Sequence, residues 1–352
     1  MGFTPFPVEL TPAGLEEAYR FLSESADCAA FFPNDGFPWL QALETTDLDA
    51  YPPLLREYLI LNRALQIKYL PSHRMYLAAN VIHHVEYDRI APAWTEAGAN
   101  QPLPPGWDAY PMDHPDIVRA AANYLRTLIR IFEPEFVALG VEVNLLYCRK
   151  PAAWPEFTRL YRTLRDTLRS EFPGVRFGFS IQYENLLGLG SDAFSYVTRE
   201  GVGSMQPLIE AIDALLPFTD ALALSTYPFM IPGLRLPDDF FDPAARLARR
   251  HGLPMLIEQT GYTSRSFEAE GIEVPGSPEA QRDFMAFLMA RAYEHDFQYV
   301  MNWVPRDYGD YYGAGIFART WAYTGLVDTQ GTPRPAWRVW EDFRKLPLVS
   351  GA

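Results

Sequence analysis

The chain has 352 residues, 48% hydrophobic and 21% charged, which suits a globular protein with a large core and argues against disorder. Its 30 Lys and Arg stand against 44 Asp and Glu, a net charge of −14. That balance argues against nucleic acid or an anionic membrane as the main partner, since both need clustered basic residues, and no uncharged apolar run approaches the roughly 18 residues of a membrane span.

Short apolar runs alternate with amphipathic stretches along the whole length, the pattern of βα units around a parallel sheet. The first strand is expected at Gly2–Pro7, with Thr11 as N-cap of a helix to Glu24. A second strand at Asp27–Phe32 leads through a loop holding Gly36 and Trp39 to a helix near Pro53–Gln66. The third, Met75–Asn80, is followed by a proline-rich excursion from His83 to Asp113 with Trp94 and Trp107, then a helix at Asp116–Phe132. The second half is more regular, with strands at Phe136–Val141, Val175–Ile181, Ala221–Ser225, Pro254–Ile257 and Tyr299–Trp303. Helices are expected at Trp154–Glu171, Gln206–Leu216, Pro243–His251, Pro278–His295 and from Pro335.

Eight strands with eight helices make a (β/α)8 barrel, an α/β fold, read here as one domain over residues 1–352 with long βα loops. An open doubly wound sheet is the competing arrangement, but no glycine-rich fingerprint follows the first strand. Proline, at 31 residues, suits many short structured loops, and the 14% aromatic content suits either a large core or a cleft that stacks rings.

Barrel chemistry lies at the C-terminal ends of the strands, so those ends give a short list of candidates. Strand three ends at Asn80; strand four, VALGVEVN, places Glu142 at the mouth with Asn144 beyond it. Strand five ends FSIQYE and offers Gln182, strand six ends ALSTYPF and offers Tyr227. Strand seven, PMLIEQTGY, places Glu258 opposite Glu142, and strand eight, VMNWVPRD, offers Trp303 with Arg306 and Asp307 beyond. Two carboxyls across a barrel mouth are what acetal cleavage needs: one protonates the departing oxygen, the other attacks or stabilises the anomeric carbon, at about 5 Å in the retaining geometry.

The succession LGVEVN, LSTYPF, IEQTGY, NWVPRD and TGLVDTQGTPRPAW, with the opening GFTPFP, then ADCAAFF and GFPW, resembles the clan A retaining glycoside hydrolases, and among them the bacterial endo-β-1,4-galactanase-like proteins. The resemblance covers nearly the whole chain, its specific parts being the surroundings of Glu142 and Glu258. It implies a glycosidase acting on a β-linked oligo- or polysaccharide without a cofactor, with Glu142 as acid/base and Glu258 as nucleophile. It further implies that Tyr227 hydrogen-bonds the nucleophile and that Trp303 floors the subsite where the sugar distorts. The clan usually has Asn before the acid/base, contacting the sugar 2-hydroxyl; here Val141 stands there. Asn144 or Asn80 is the available substitute, with Gln182 and Trp39 as further candidate sugar contacts. The alternative is a barrel that binds glycans and has lost efficient hydrolysis.

Other signals carry less. His83, His84, Glu86 and Asp88 invite a metal reading, but adjacent histidines point in opposite directions in extended chain. Trp39, Trp94 and Trp107 read first as loop anchors and second as stacking platforms. The pairs Gly188–Gly190 and Gly201–Gly203 lack a following Lys-Ser/Thr, and Ser180, Ser225 and Ser264 lack the nucleophile elbow. Cys28 and Cys148 set no disulfide framework, and MGFTPFPVEL carries no leader pattern, leaving compartment open between a cytosolic chain and an exported one with its leader removed. Oligomeric state has no signature in the sequence.

Overall fold

The computed structural model describes residues 1–33, 35–190, 194, 205–269, 271–313 and 315–346. Its strands, in chain order, are β1 Gly2–Phe3, β2 Cys28–Phe31, β3 Arg74–Ala78, β4 Ala93–Thr95, β5 Gly98–Gln101, β6 Phe136–Ala138, β7 Arg176–Gly178, β8 Ser180–Gln182, β9 Leu222–Thr226, β10 Met255–Thr260, β11 Phe267–Ala269, β12 Ile272–Val274 and β13 Tyr299–Asn302. Nine of them form one all-parallel sheet in the order β7-β6-β3-β2-β1-β13-β10-β9-β8. Its two ends, β7 and β8, are parts of one run of chain parted by Phe179 alone, so the sheet closes on itself as an eight-staved barrel. This is the (β/α)8 arrangement expected from the sequence. The hairpins β4–β5 and β11–β12 lie outside the ring, after β3 and β10. The first falls inside the expected His83–Asp113 excursion; the second was not foreseen.

Eight of the 31 prolines start α-helices. Pro12, Pro53, Pro115, Pro155, Pro207, Pro243, Pro278 and Pro335 each occupy the first or second helical position, where the missing N–H has no intrahelical partner to lose. Side-chain caps add to this: Thr11 accepts from the Gly14 amide at 3.0 Å and Ser277 from Ala280 at 3.1 Å. Helix 206–213 stops short of the expected Leu216, where a 3-10 turn at Leu216–Phe218 takes over.

Two apolar layers hold the barrel. Ile257, Leu224 and Leu77 face outward to the helices, while Ala30, Tyr76, Ala78, Phe136, Ala138, Ala223, Leu256 and Met301 fill the interior. The alanine-rich filling leaves room for polar side chains near the mouth. At the opposite end Glu135 receives Arg74, Arg176 and the Tyr299 hydroxyl, at 2.5, 2.7 and 2.7 Å, tying the starts of four staves together. No helix among the described residues is long and apolar enough to cross a membrane.

Candidate active site

A cavity of about 970 Å³ opens at the C-terminal ends of the staves, with Glu142, Gln182, Tyr227, Gln259 and Trp303 among the residues that line it at the mouth. Glu142 follows β6 and stands directly before a short helix, Val143–Arg149, that sequence reading did not foresee. Its backbone is left-handed, φ 53°, a conformation that costs a non-glycine residue on the order of 1–3 kcal/mol and is held by its surroundings. The holding contacts are visible: the Glu142 amide donates to Ser180 Oγ at 3.0 Å, and the amide before it, from Val141, donates to Asn80 Oδ1 at 3.0 Å. The Glu142 carboxyl accepts from Ser225 Oγ at 2.6 Å and from the Tyr87 hydroxyl at 2.5 Å. Burial pushes this carboxyl above the usual range, and the two hydroxyls pull it part of the way back.

Glu258 lies deeper. β10 carries a bulge: Ile257 pairs with Leu224 and Gln259 with Ser225, leaving Glu258 as the extra residue. It is fully buried and absent from the cavity wall, while Gln259 reaches that wall. Neither Glu258 oxygen meets good hydrogen-bond geometry among the described residues; the Ser180 and Tyr76 hydroxyls interact with it more loosely. Its carboxyl is pushed up to about 8, first by burial, with the charge of Glu142 raising it further. Burial thus raises both carboxyls, and the charge of Glu142 adds to the rise at Glu258.

Tyr227 is at the mouth, but its hydroxyl donates to Gln259 Oε1 at 3.0 Å and not to Glu258, because the bulge turns Gln259 toward it. Trp303 is half-buried on the cavity wall, its ring at the edge of Phe32 (5.4 Å, 89°) and near Phe6 and Trp321. Gln182 lines the cavity with its amide engaged, donating to Glu184 at 2.7 Å and accepting from the Asn185 amide at 2.6 Å.

Three expected sugar contacts do not reach the cavity wall. Asn144 is fully buried and stitches the Val143–Arg149 helix to the fifth stave through the Gln182 backbone and Asn185. Asn80 accepts from the Val141 and Ile82 amides, and its buried Nδ2 meets no partner among the described residues. Trp39 is buried against Phe37 and Trp107 and donates to Ala91 O at 2.9 Å, as a loop anchor does. Beyond β13, Arg306 pairs with Glu17 and Asp307 with Arg334, so both fasten loops.

Glu184 was missed. It is fully buried, pushed up to about 7 by burial, and accepts from Thr226 Oγ1 and the Tyr227 amide as well as Gln182, so it aims the end of β9. The same strand-end rule could have found it, since it lies two residues past Gln182. His83 accepts from the Val85 and Glu86 amides within its own turn, while His84 lines the cavity. Among the described residues no group of three His, Cys, Asp or Glu is placed to hold a metal. Gly188 closes the turn after helix 183–186 at φ 78°; Gly201–Gly203 lies outside the described residues.

No family model matches the chain, and no curated protein is similar to it in sequence. Solved structures are similar in fold. A GH5_18 protein variant from Bifidobacterium longum subsp. longum, in complex with Manβ1-4GlcNAc, superposes with a TM-score of 0.63 at 15% identity, covering 97% of this chain and 74% of that one. A GH5_18 variant from Streptomyces cattleya with the same disaccharide gives 0.64 at 14% identity, covering 100% and 81%. An exo-β-1,4-mannosidase from Opitutaceae bacterium strain TAV5 gives 0.62 at 15%, covering 97% and 58%. These neighbours carry names of glycoside hydrolases and share the barrel with this chain; the narrower galactanase-like similarity is not among them.

Proposed function

We propose that the chain hydrolyses a β-glycosidic bond at the barrel mouth with retention, Glu142 acting as acid/base and Glu258 as nucleophile. The observation that supports this most is geometric: two buried carboxyls stand near the C-terminal ends of the fourth and seventh staves, and Glu142 lines a cavity whose wall Trp303 shares. In the first step Glu142 gives its proton to the leaving oxygen while a Glu258 oxygen bonds the anomeric carbon, forming a glycosyl ester. In the second, Glu142 takes a proton from water, whose oxygen displaces Glu258. The working form carries one proton on the pair, and it must sit on Glu142.

The test is release of reducing sugar from β-linked glycans and methyl β-glycosides by wild type, Glu142→Gln and Glu258→Gln. The reading expects loss of at least about 10³-fold in kcat for Glu258→Gln with the fold kept. It also expects a kcat/KM profile that falls above about pH 8, as the pair loses its last proton. Wild-type rates in Glu258→Gln would remove the assignment.

A second reading rests on a separate observation. Tyr227 hydrogen-bonds Gln259, an amide that cannot attack carbon, while Glu258 is withdrawn beneath it. On this reading the barrel binds glycosides and turns them over slowly or not at all. It predicts that Gln259→Glu, which restores a carboxylate beside the Tyr227 hydroxyl, raises turnover at least tenfold. A fall in turnover with Gln259→Glu would favour the first reading.

A further inference from the structure

The cavity does not end at the barrel mouth. From Glu142 it runs beneath segment 4–12 and out between the helices Pro12–Ser25 and Pro53–Tyr69. Along this arm the walls are Phe6, Pro7, Leu15, Leu54, Tyr58 and Leu61. Leu10 and Leu54, which also line it, are 70% and 54% exposed, so large aliphatic side chains face water at its rim.

The cover of this arm is built. The Leu10 amide donates to the Tyr311 hydroxyl at 3.2 Å, and the Tyr312 hydroxyl donates to Pro7 O at 2.7 Å. Phe6 packs against Trp303, Tyr308 and Tyr312 with ring centroids 5.1 to 5.8 Å away. Of the polar side chains along the arm, Glu57 stands exposed at its rim and Tyr58 lies on its wall, while Thr11 and Asn62 are committed elsewhere. The Thr11 hydroxyl caps Gly14, and the Asn62 amide accepts from the Tyr19 hydroxyl and donates to Tyr58 O.

A second or third sugar laid here would bring hydroxyls that find few partners, and buried polar groups without partners are strongly disfavoured. A hydrocarbon chain meets no such penalty and gains with each methylene removed from water. We propose that this arm is a subsite for an apolar aglycone, so that the glycoside bound at Glu142 carries a hydrocarbon chain in place of further sugars. The inference rests on the glycosidase reading for the sugar end of the ligand alone.

The experiment uses the full chain and paired methyl and octyl β-glycosides of glucose, galactose and mannose, below their micelle-forming concentrations. Affinity is read by calorimetry and hydrolysis by product release, for wild type and a Leu10→Gln, Leu54→Gln double variant whose exposed positions should leave the fold intact, as circular dichroism would check. For a sugar that binds, the octyl glycoside should bind at least about tenfold more tightly than the methyl one, and the double variant should bring that ratio toward one. Equal affinities, an octyl advantage untouched by the double variant, or no binding of any octyl glycoside would overturn the subsite. An octyl advantage without hydrolysis of any glycoside would keep the subsite and remove the glycosidase reading. Hydrolysis of methyl glycosides without an octyl advantage would do the reverse.

Discussion

Glu258 carries a cost that depends on pH in a calculable direction. In the unfolded chain it loses its proton near pH 4.5, whereas in the fold it keeps it up to about pH 8. Between those values the unfolded state binds fewer protons, so stability falls as pH rises, and below about pH 4.5 the term vanishes. Glu258→Gln, which has no proton to lose, should stabilise the protein by on the order of 1–3 kcal/mol at pH 8 and by little at pH 4. Urea unfolding at the two pH values checks this; a variant equally or less stable at pH 8 would mean that the carboxyl finds a partner in solution. The same residue shows where sequence stops informing. That Glu142 and Glu258 stand at the ends of the fourth and seventh staves was legible, because an apolar run ending in a lone acid marks a strand's mouth. Which of Glu258 and Gln259 reaches the cavity was not. A bulge shifts the facing by one residue, and two consecutive polar residues give alternation nothing to register.

At the scale of elements, the staves and helices followed from periodicity and from proline and hydroxyl caps, while the short pieces did not. The helices Trp39–Glu44 and Val143–Arg149 and the β11–β12 hairpin are too brief to show a period and are held by tertiary contacts. Asn144 reads as a mouth residue because the helix that carries it away from the cavity is invisible in sequence. Trp39 belongs to this scale too. Stacked on Phe37 at 4.7 Å and bonded to Ala91, it fastens the start of the loop after β2 to the excursion after β3. Trp39→Ala should therefore cost about 3–5 kcal/mol of stability and leave KM for methyl glycosides near wild type. A raised KM without lost stability would return it to the list of sugar contacts.

Over the whole molecule the two ends of the barrel divide their labour. The mouth gathers buried acids with raised pKa, and the opposite end gathers Glu135 with two arginines and Tyr299, which hold its carboxyl down to about 2. That lowered pKa contributes stability above about pH 4.5 that is lost as pH falls toward 2. Glu135→Gln should lower stability at pH 7 and match wild type near pH 2, by about 1 kcal/mol at most because water screens this partly exposed cluster. Unfolding curves at both pH values decide it, and an undiminished deficit near pH 2 would point to lost packing instead.

The shortest stave of the ring, β1, has two residues, and it closes the barrel by pairing β2 on one side and β13 on the other. The chain that leaves it is the cover of the apolar arm. Seam and cover thus belong to one thermodynamic cycle. A ligand lying under the cover would add its binding free energy to the stability of the closed ring. In such a cycle the arm's occupant is also a fastener of the barrel, tightening the ring at its shortest stave.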